Sequence, residues 1–292
     1  MLAIVGPTAS SKSALAVEIA LRYNGEIISA DSRQVYRGLD IGSGKITEGE
    51  MRGLRHHLLD VADPQKTFTV DDYKKLAELA IDGAFGRGKL PILVGGTGFY
   101  VQAVIDGLDF PKVSPDENLR RELEGKTDEE LLFMLQERDP KRARDIDFHN
   151  RRRLIRAIEI AEALGKVPPV VSNPKYQTLM IGIEENDEIL KKKIRDRLEE
   201  RLERGMIEEV EHLQKKGLPF ERLEQLGLEY RYVGRFLQGK IDRGELFAVL
   251  EKEIWLYAKR QRTWFRRDKR ITWHKASELT AVFLKVEAFL NN

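Results

Sequence analysis

Short, uninterrupted apolar runs alternate along the first hundred residues with longer stretches whose apolar positions recur every three or four residues. Met1–Val5 is such a run and reads as a fully buried strand, broken at Gly6-Pro7. A helical pattern follows from about Lys12 to Tyr23, with Ala14, Leu15, Val17, Ile19 and Leu21 on its apolar positions. Glu26–Ala30 predicts a second buried strand, His57–Val61 a weaker third, and Pro91–Val94 a strand stopped by Gly95-Gly96. Val70–Phe85 is helical between the last two, and Leu179–Ile183 and Ile271–Trp273 are later strand candidates. Buried strands alternating with helices predict a doubly wound parallel sheet covered on both faces.

From Pro111 the pattern changes. Strand signals stop, Pro115, Pro140, Pro168 and Pro169 punctuate, and the stretches between them are helical and highly charged. The organisation expected is a core in two parts, 1–110 and 175–292, interrupted by a helical insertion over 111–174. Past Asn186 the chain reads as almost wholly helical. At 292 residues, 41 % hydrophobic and 34 % charged, the chain can bury a sizeable core. The net charge is only +2, so any affinity for nucleic acid must come from local basic patches. Cysteine is absent, which excludes disulfides, thiolate zinc sites and cysteine nucleophiles. No apolar run approaches membrane-spanning length, and a strand stands where a secretory leader would be; a cytoplasmic protein is expected.

The first strand-to-helix turn carries Gly6-Pro7-Thr8-Ala9-Ser10-Ser11-Lys12-Ser13. This is the layout of a phosphate-binding P-loop. Backbone N–H groups and the helix N-terminus hold phosphate oxygens, Lys12 adds a point charge, and the Ser13 hydroxyl suits a Mg²⁺ shell. Ser11 stands where the motif has its second glycine. Two further strand ends should converge with this loop, because ligands of open parallel sheets sit beyond the carboxyl ends of the strands. One is Asp31-Ser32-Arg33-Gln34-Val35-Tyr36 and the other Gly95-Gly96-Thr97-Gly98-Phe99-Tyr100. Taken alone, Asp31 reads equally well as a helix N-cap and as a Mg²⁺ ligand or proton acceptor. The adjacent His56 and His57 point to opposite faces of a strand, which favours structural or positioning roles over metal binding. Lys259–Arg270 holds seven basic residues and one acid, with Trp264 and Phe265 among them. Basic groups facing RNA suit that stretch, with the aromatics packed inward rather than stacked on bases.

Side by side, these segments resemble the tRNA dimethylallyltransferase family. The matching pieces are GPTASSKSALA (6–16), ISADSRQVYRGLDIGSGK (28–45), HHLLDVADP (56–64), PILVGGTGFYVQAVIDGL (91–108), RRLIRAIEI (152–160), RGMIEEV (204–210) and AKRQRTWFR (258–266). They span nearly the whole chain in the family's order. The resemblance implies a P-loop core with a helical insertion, and transfer of a dimethylallyl group from its diphosphate to the exocyclic amine of a tRNA adenosine beside the anticodon. It implies that Asp31 is the general base and that Thr97 lies at the reacting centre. Residues Gly6 to Ser13, together with Arg197, would hold the donor's diphosphate. Asp31, Ser32, Arg33, Gln34 and Thr97 would lie against the target base. Arg120 and the run Arg152, Arg153, Leu154, Ile155 and Arg156 would touch the tRNA. Mg²⁺ is the implied cofactor, dimethylallyl diphosphate and the tRNA anticodon stem-loop are the implied partners, and a monomer of the bacterial type, without a zinc-finger tail, is expected. Two departures stand out: Ser11, and a segment at 225–231 that matches the family's glycine–tyrosine–basic motif only loosely. The rival readings are a small-molecule P-loop kinase and a non-catalytic RNA-binding protein; neither accounts for RRLIR and KRQRTWFR together with the loop.

Overall fold

The computed structural model describes residues 1–291. Its strands are β1 (Leu2–Val5), β2 (Gly25–Ser29), β3 (His56–His57), β4 (Leu90–Gly95), β5 (Leu108–Asp109), β6 (Val171–Ser172), β7 (Leu179–Glu184) and β8 (Thr272–Lys275). Six of them form one sheet in the order β3-β2-β4-β1-β7-β8, with every pairing parallel. The apolar runs are continuous because both faces are covered. Leu2, Ile4, Ile27, Ile92 and Val94 enter one core, and Ala3, Val5, Ile28 and Leu93 enter the other.

The helices of this body are α1 (Lys12–Arg22), α2 (Glu48–Met51), α3 (Val70–Gly86) and α4 (Gly98–Ile105) before the insertion. Inside the insertion lie α5 (Glu117–Glu124), α6 (Asp128–Arg138), α7 (Pro140–Asp145) and α8 (Arg151–Leu164). After it come α9 (Asp187–Glu203), α10 (Met206–Lys215), α11 (Phe220–Leu226), α12 (Leu228–Leu237), α13 (Arg243–Phe265) and α14 (Leu279–Leu290). The starts of α3 and α13 are set locally by capping boxes, Thr69 with Asp72 and Asp242 with Glu245. Among the described residues no helix is long and apolar enough to cross a membrane.

Two sequence expectations change. The third strand is His56–His57, so of the expected 57–61 only His57 pairs with β2, since Leu58 (φ 63°) and Asp60 (φ 58°) leave extended geometry. The chain divides into Met1–Gly107 with Pro174–Asn292, and Leu108–Asn173. The second unit therefore starts before residue 111, and it is not purely helical. Leu108 and Asp109 pair antiparallel with Ser172 and Val171, closing its two ends on each other. That unit has its own core, in which Leu123, Leu131, Leu135, Leu154 and Ile158 are fully buried. Arg151 fastens it, donating to the carbonyls of Leu123, Glu124 and Lys126 and pairing with Asp128.

Candidate active site

Because β2, β4 and β1 are neighbours, the segments leaving their carboxyl ends lie side by side. Gly6–Ser13 follows β1, Asp31–Gln34 follows β2, and Gly96–Gly98 follows β4. Direct bonds tie the last two: the Ser32 N–H donates to Thr97 Oγ1 at 3.0 Å and the Thr97 N–H to Ala30 O at 3.1 Å. Asp31 caps no helix. Its Oδ1 accepts the N–H groups of Arg33 (2.8 Å) and Gln34 (3.3 Å), an Asx turn that leaves Oδ2 for another donor. Gln34 bridges Ser29 and the carbonyl of Gly44, joining this segment to the loop at 40–45.

In the phosphate loop, Gly6, Pro7, Ala9 and Ser10 are buried, while Ser11 and Ser13 are exposed. Ala9 (φ 61°) and Ser11 (φ 66°) both hold left-handed backbone that a glycine would adopt without strain. The Ser10 hydroxyl is buried and has no partner. The Lys12 ammonium folds back on Pro7 O at 3.0 Å. Burial brings its pKa down to about 8, with Asp31 opposing and Arg197 reinforcing the shift.

One cavity gathers Thr8, Lys12, Ser13, Asp31, Gln34 and Gly44 with Arg197 and Arg201, and its remaining wall includes Ile27, Ile46, Leu59 and Val94. Arg197 and Arg201 stand four residues apart on one face of α9. Burial, then the neighbouring Arg201, lowers the Arg197 pKa from its usual value. An anion is the ligand that would relieve such a pair. Arg201 is held by Glu229 at 3.0 Å. Burial pushes the Glu229 carboxyl up, and Arg201 opposes the rise.

Sequence reasoning missed Arg201 and also Glu209, whose carboxylate accepts the N–H groups of Asp40, Ile41 and Gly42 and the Tyr230 hydroxyl, at 2.6 to 3.0 Å. That contact gives the loosely matching 225–231 segment a structural role: Tyr230 is fully buried and Glu229 anchors Arg201. The signals were the i,i+4 arginines and the RGMIEEV segment, but neither reveals partners such as Glu229 for Arg201, 28 positions away, or the Asp40 N–H for Glu209, 169 positions away.

The expected RNA-contacting residues fare unevenly. Arg152 and Arg153 are exposed. Leu154 and Ile155 are 0 % and 9 % exposed in the core of the helical unit, so their side chains are not available to RNA as expected. Arg120 and Arg156 converge on the buried Glu159, at 2.7 and 3.2 Å. Burial alone would raise Glu159, but Arg120, the Asp116 N–H and Arg156 hold it below the usual carboxylate range. In the late basic stretch Arg262 pairs with Asp187, Arg266 with Glu184 and Arg270 with Asp106 and Asp268. Much of that local charge is already balanced. His57 bonds Glu26 at 2.7 Å and His56 bonds the Leu54 carbonyl at 3.0 Å.

The sequence model of the family described as IPP transferase matches residues 34–268. The chain belongs to the IPP transferase family. Among its curated relatives, "tRNA dimethylallyltransferase 1" of Geotalea uraniireducens is 45 % identical over 92 % of this chain and 89 % of its own. The "tRNA dimethylallyltransferase" of Oceanobacillus iheyensis is 37 % identical, covering 100 % of this chain and 96 % of its own. The solved tRNA isopentenylpyrophosphate transferase of Bacillus halodurans superposes with a TM-score of 0.76 at 37 % identity, covering 99 % and 96 % of the two chains. A eukaryotic dimethylallyltransferase described as acting on tRNA gives a TM-score of 0.82 at 26 % identity, over 96 % of this chain and 74 % of that one. The IPP transferase fold is thus the P-loop parallel sheet described above, and the kinase reading is not favoured.

Proposed function

We propose that this chain transfers a dimethylallyl group from dimethylallyl diphosphate to the exocyclic amine of an adenosine beside the anticodon of tRNA, releasing diphosphate. The observation that carries the proposal is the make-up of a single cavity. Cations and a hydroxyl for a diphosphate (Lys12, Arg197, Ser13), a carboxylate for a proton (Asp31) and an aliphatic wall (Ile27, Ile46, Leu59, Val94) line the same space. A nucleotide kinase has no use for an aliphatic wall beside its phosphates. A five-carbon allylic chain does.

The chemistry follows from these groups. The adenine amine is a weak nucleophile, because its lone pair is delocalised into the ring. As it attacks C1 of the donor, the C1–oxygen bond breaks and negative charge grows on the diphosphate. Lys12, Arg197 and the loop N–H groups meet that charge. Asp31 takes the amine proton, and its position is fixed by the Asx turn that uses only Oδ1. Thr97, bonded to the Ser32 N–H, sets the distance between the Asp31 segment and the β4 turn. The target base must leave its stack to enter the cavity.

Mg²⁺ fits this donor set. Ser13 offers a hard oxygen, while no cluster of three His, Cys, Asp or Glu side chains capable of caging a metal occurs among the described residues. A hard ion with one or two protein oxygens and the rest from diphosphate and water matches that chemistry. Such an ion would neutralise charge on the leaving group. Arg152 and Arg153, exposed at the start of α8, are the groups we assign to tRNA phosphates.

The test is incubation with labelled dimethylallyl diphosphate, with tRNA and without it, beside labelled ATP. Label transferred to tRNA alone, with no tRNA-independent ATP turnover, is the expected result; ATP turnover on a small acceptor without prenyl transfer overturns the proposal.

A further inference from the structure

The late segment KRQRTWFR reads in sequence as an RNA-facing stretch, yet three side chains of α13 turn toward the active-site loops. Tyr257, Gln261 and Trp264 are spaced i, i+4, i+7 and share one helix face. Tyr257 is buried beside Thr97, close enough for the two side chains to interact. The Gln261 Nε2 donates to Gly96 O at 2.9 Å. Trp264 lies so close to Gly98 that a Cβ there would come within 2.2 Å of the indole, and a Cβ at Gly96 would come within 2.2 Å of Gln261 Nε2. The glycines of the β4 turn are therefore small because α13 is pressed against them.

Gln261 does more than pack. Its Oε1 accepts the N–H of Thr8, in the phosphate loop, at 2.8 Å, and the residue is only 5 % exposed. One amide thus joins the loop after β1 to the turn after β4, using its acceptor on one and its donor on the other. A carboxylate of the same shape could accept from Thr8 but would face Gly96 O with a second oxygen. An aliphatic side chain would make neither bond and leave the Gly96 carbonyl and the Thr8 N–H without this partner.

We infer that Gln261 is a positioning residue that sets the separation between the diphosphate-holding loop and the Thr97 turn, an inference that rests on the prenyl-transfer reading for its catalytic consequence. In-line attack requires amine, C1 and leaving oxygen to be aligned, and a misplacement of about 1 Å costs roughly 10²-fold in rate. Gln261 does not line the cavity that holds Lys12 and Asp31, so its loss should lower turnover and spare affinity.

The experiment compares wild type with Gln261→Met and Gln261→Glu by hydrogen exchange and by steady-state kinetics. In Gln261→Met, the peptides covering 4–13 and 95–101 should exchange faster together while the rest of the sheet is unchanged. Its kcat should fall by about 10²-fold, with KM for donor and for tRNA within about threefold of wild type. Gln261→Glu should keep the first peptide protected and loosen only the second. Unchanged exchange in both peptides, or a kcat within threefold of wild type in a variant whose melting temperature has dropped, would overturn the inference in favour of simple core packing. Absence of prenyl transfer by the wild type would remove the functional reading, and the exchange pattern would still decide whether the two loops are coupled through Gln261.

Discussion

Replacing Asp31 separates two jobs that the proposed mechanism gives its two oxygens. Oδ1 accepts the N–H groups of Arg33 and Gln34 and shapes the turn, while in the proposal Oδ2 meets the incoming amine. Asparagine can keep the first job, because its carbonyl oxygen can take the place of Oδ1, but it cannot accept a proton. A positioned base contributes about 10²–10⁴-fold, equivalent to roughly 3–5 kcal/mol of barrier. Asp31→Asn should therefore lose that factor in single-turnover rate while its unfolding free energy stays within about 0.5 kcal/mol of wild type. Asp31→Ala should lose the same rate and about 1–2 kcal/mol of stability as well, for two hydrogen bonds at a half-buried turn. Rapid-quench transfer of labelled donor gives the rate, and urea unfolding gives the stability. An Asn variant within threefold of the wild-type rate refutes the base assignment, and equal stability of the Ala and Asn variants refutes the turn.

Three further outcomes are expected. Lys12 has its pKa lowered to about 8, so it loses its proton as pH rises through that value, and binding a diphosphate must restore it. Donor affinity should then fall above pH 8, by up to about tenfold per unit, with proton uptake visible by calorimetry in buffers of different ionisation enthalpy and lost in Lys12→Met. Glu209→Ala removes the acceptor for three backbone N–H groups and Tyr230, and should cost about 2–3 kcal/mol by urea unfolding with the m-value unchanged; a change under 0.5 kcal/mol would show that water replaces the carboxylate fully. Ser11→Gly relieves a left-handed serine and should stabilise the protein by up to about 1 kcal/mol with transfer rates within a few-fold, whereas a loss of stability would mean that Ser11 contributes more than its strain costs.

What could be read from the sequence, and what could not, follows the range of the interactions. β1, β2 and β4 were legible because strands covered on both faces are short unbroken apolar runs, and the order of strand, loop and helix put three strand ends in one crevice. The weaker run at 57–61 misled because apolar composition carries no sign of the left-handed turns at Leu58 and Asp60. In sequence Leu154 and Ile155 are inseparable from their arginine neighbours, although a helix turns successive residues to different faces and sends these two inward. The partners of Glu209, Gln261 and Glu159 were not legible at all. Each bonds to groups tens to hundreds of positions away, and nothing in local pattern reports a hydrogen bond of that span. For the same reason the late basic stretch looked freer than it is, since the carboxylates of Asp187, Glu184 and Asp106 that pair with it lie far off in sequence.

The central claim is that the cavity shared by Lys12, Arg197 and Asp31 joins an allylic diphosphate to a tRNA adenosine. Nucleoside mass spectrometry tests it most directly, on unmodified tRNA incubated with the protein and dimethylallyl diphosphate and then digested to nucleosides. The account predicts a single adenosine per tRNA carrying one added five-carbon unit on its exocyclic amine, located beside the anticodon and absent when Asp31→Asn protein is used. Unmodified adenosine after exhaustive reaction with the folded wild type, or the five-carbon unit on any other base, would contradict it.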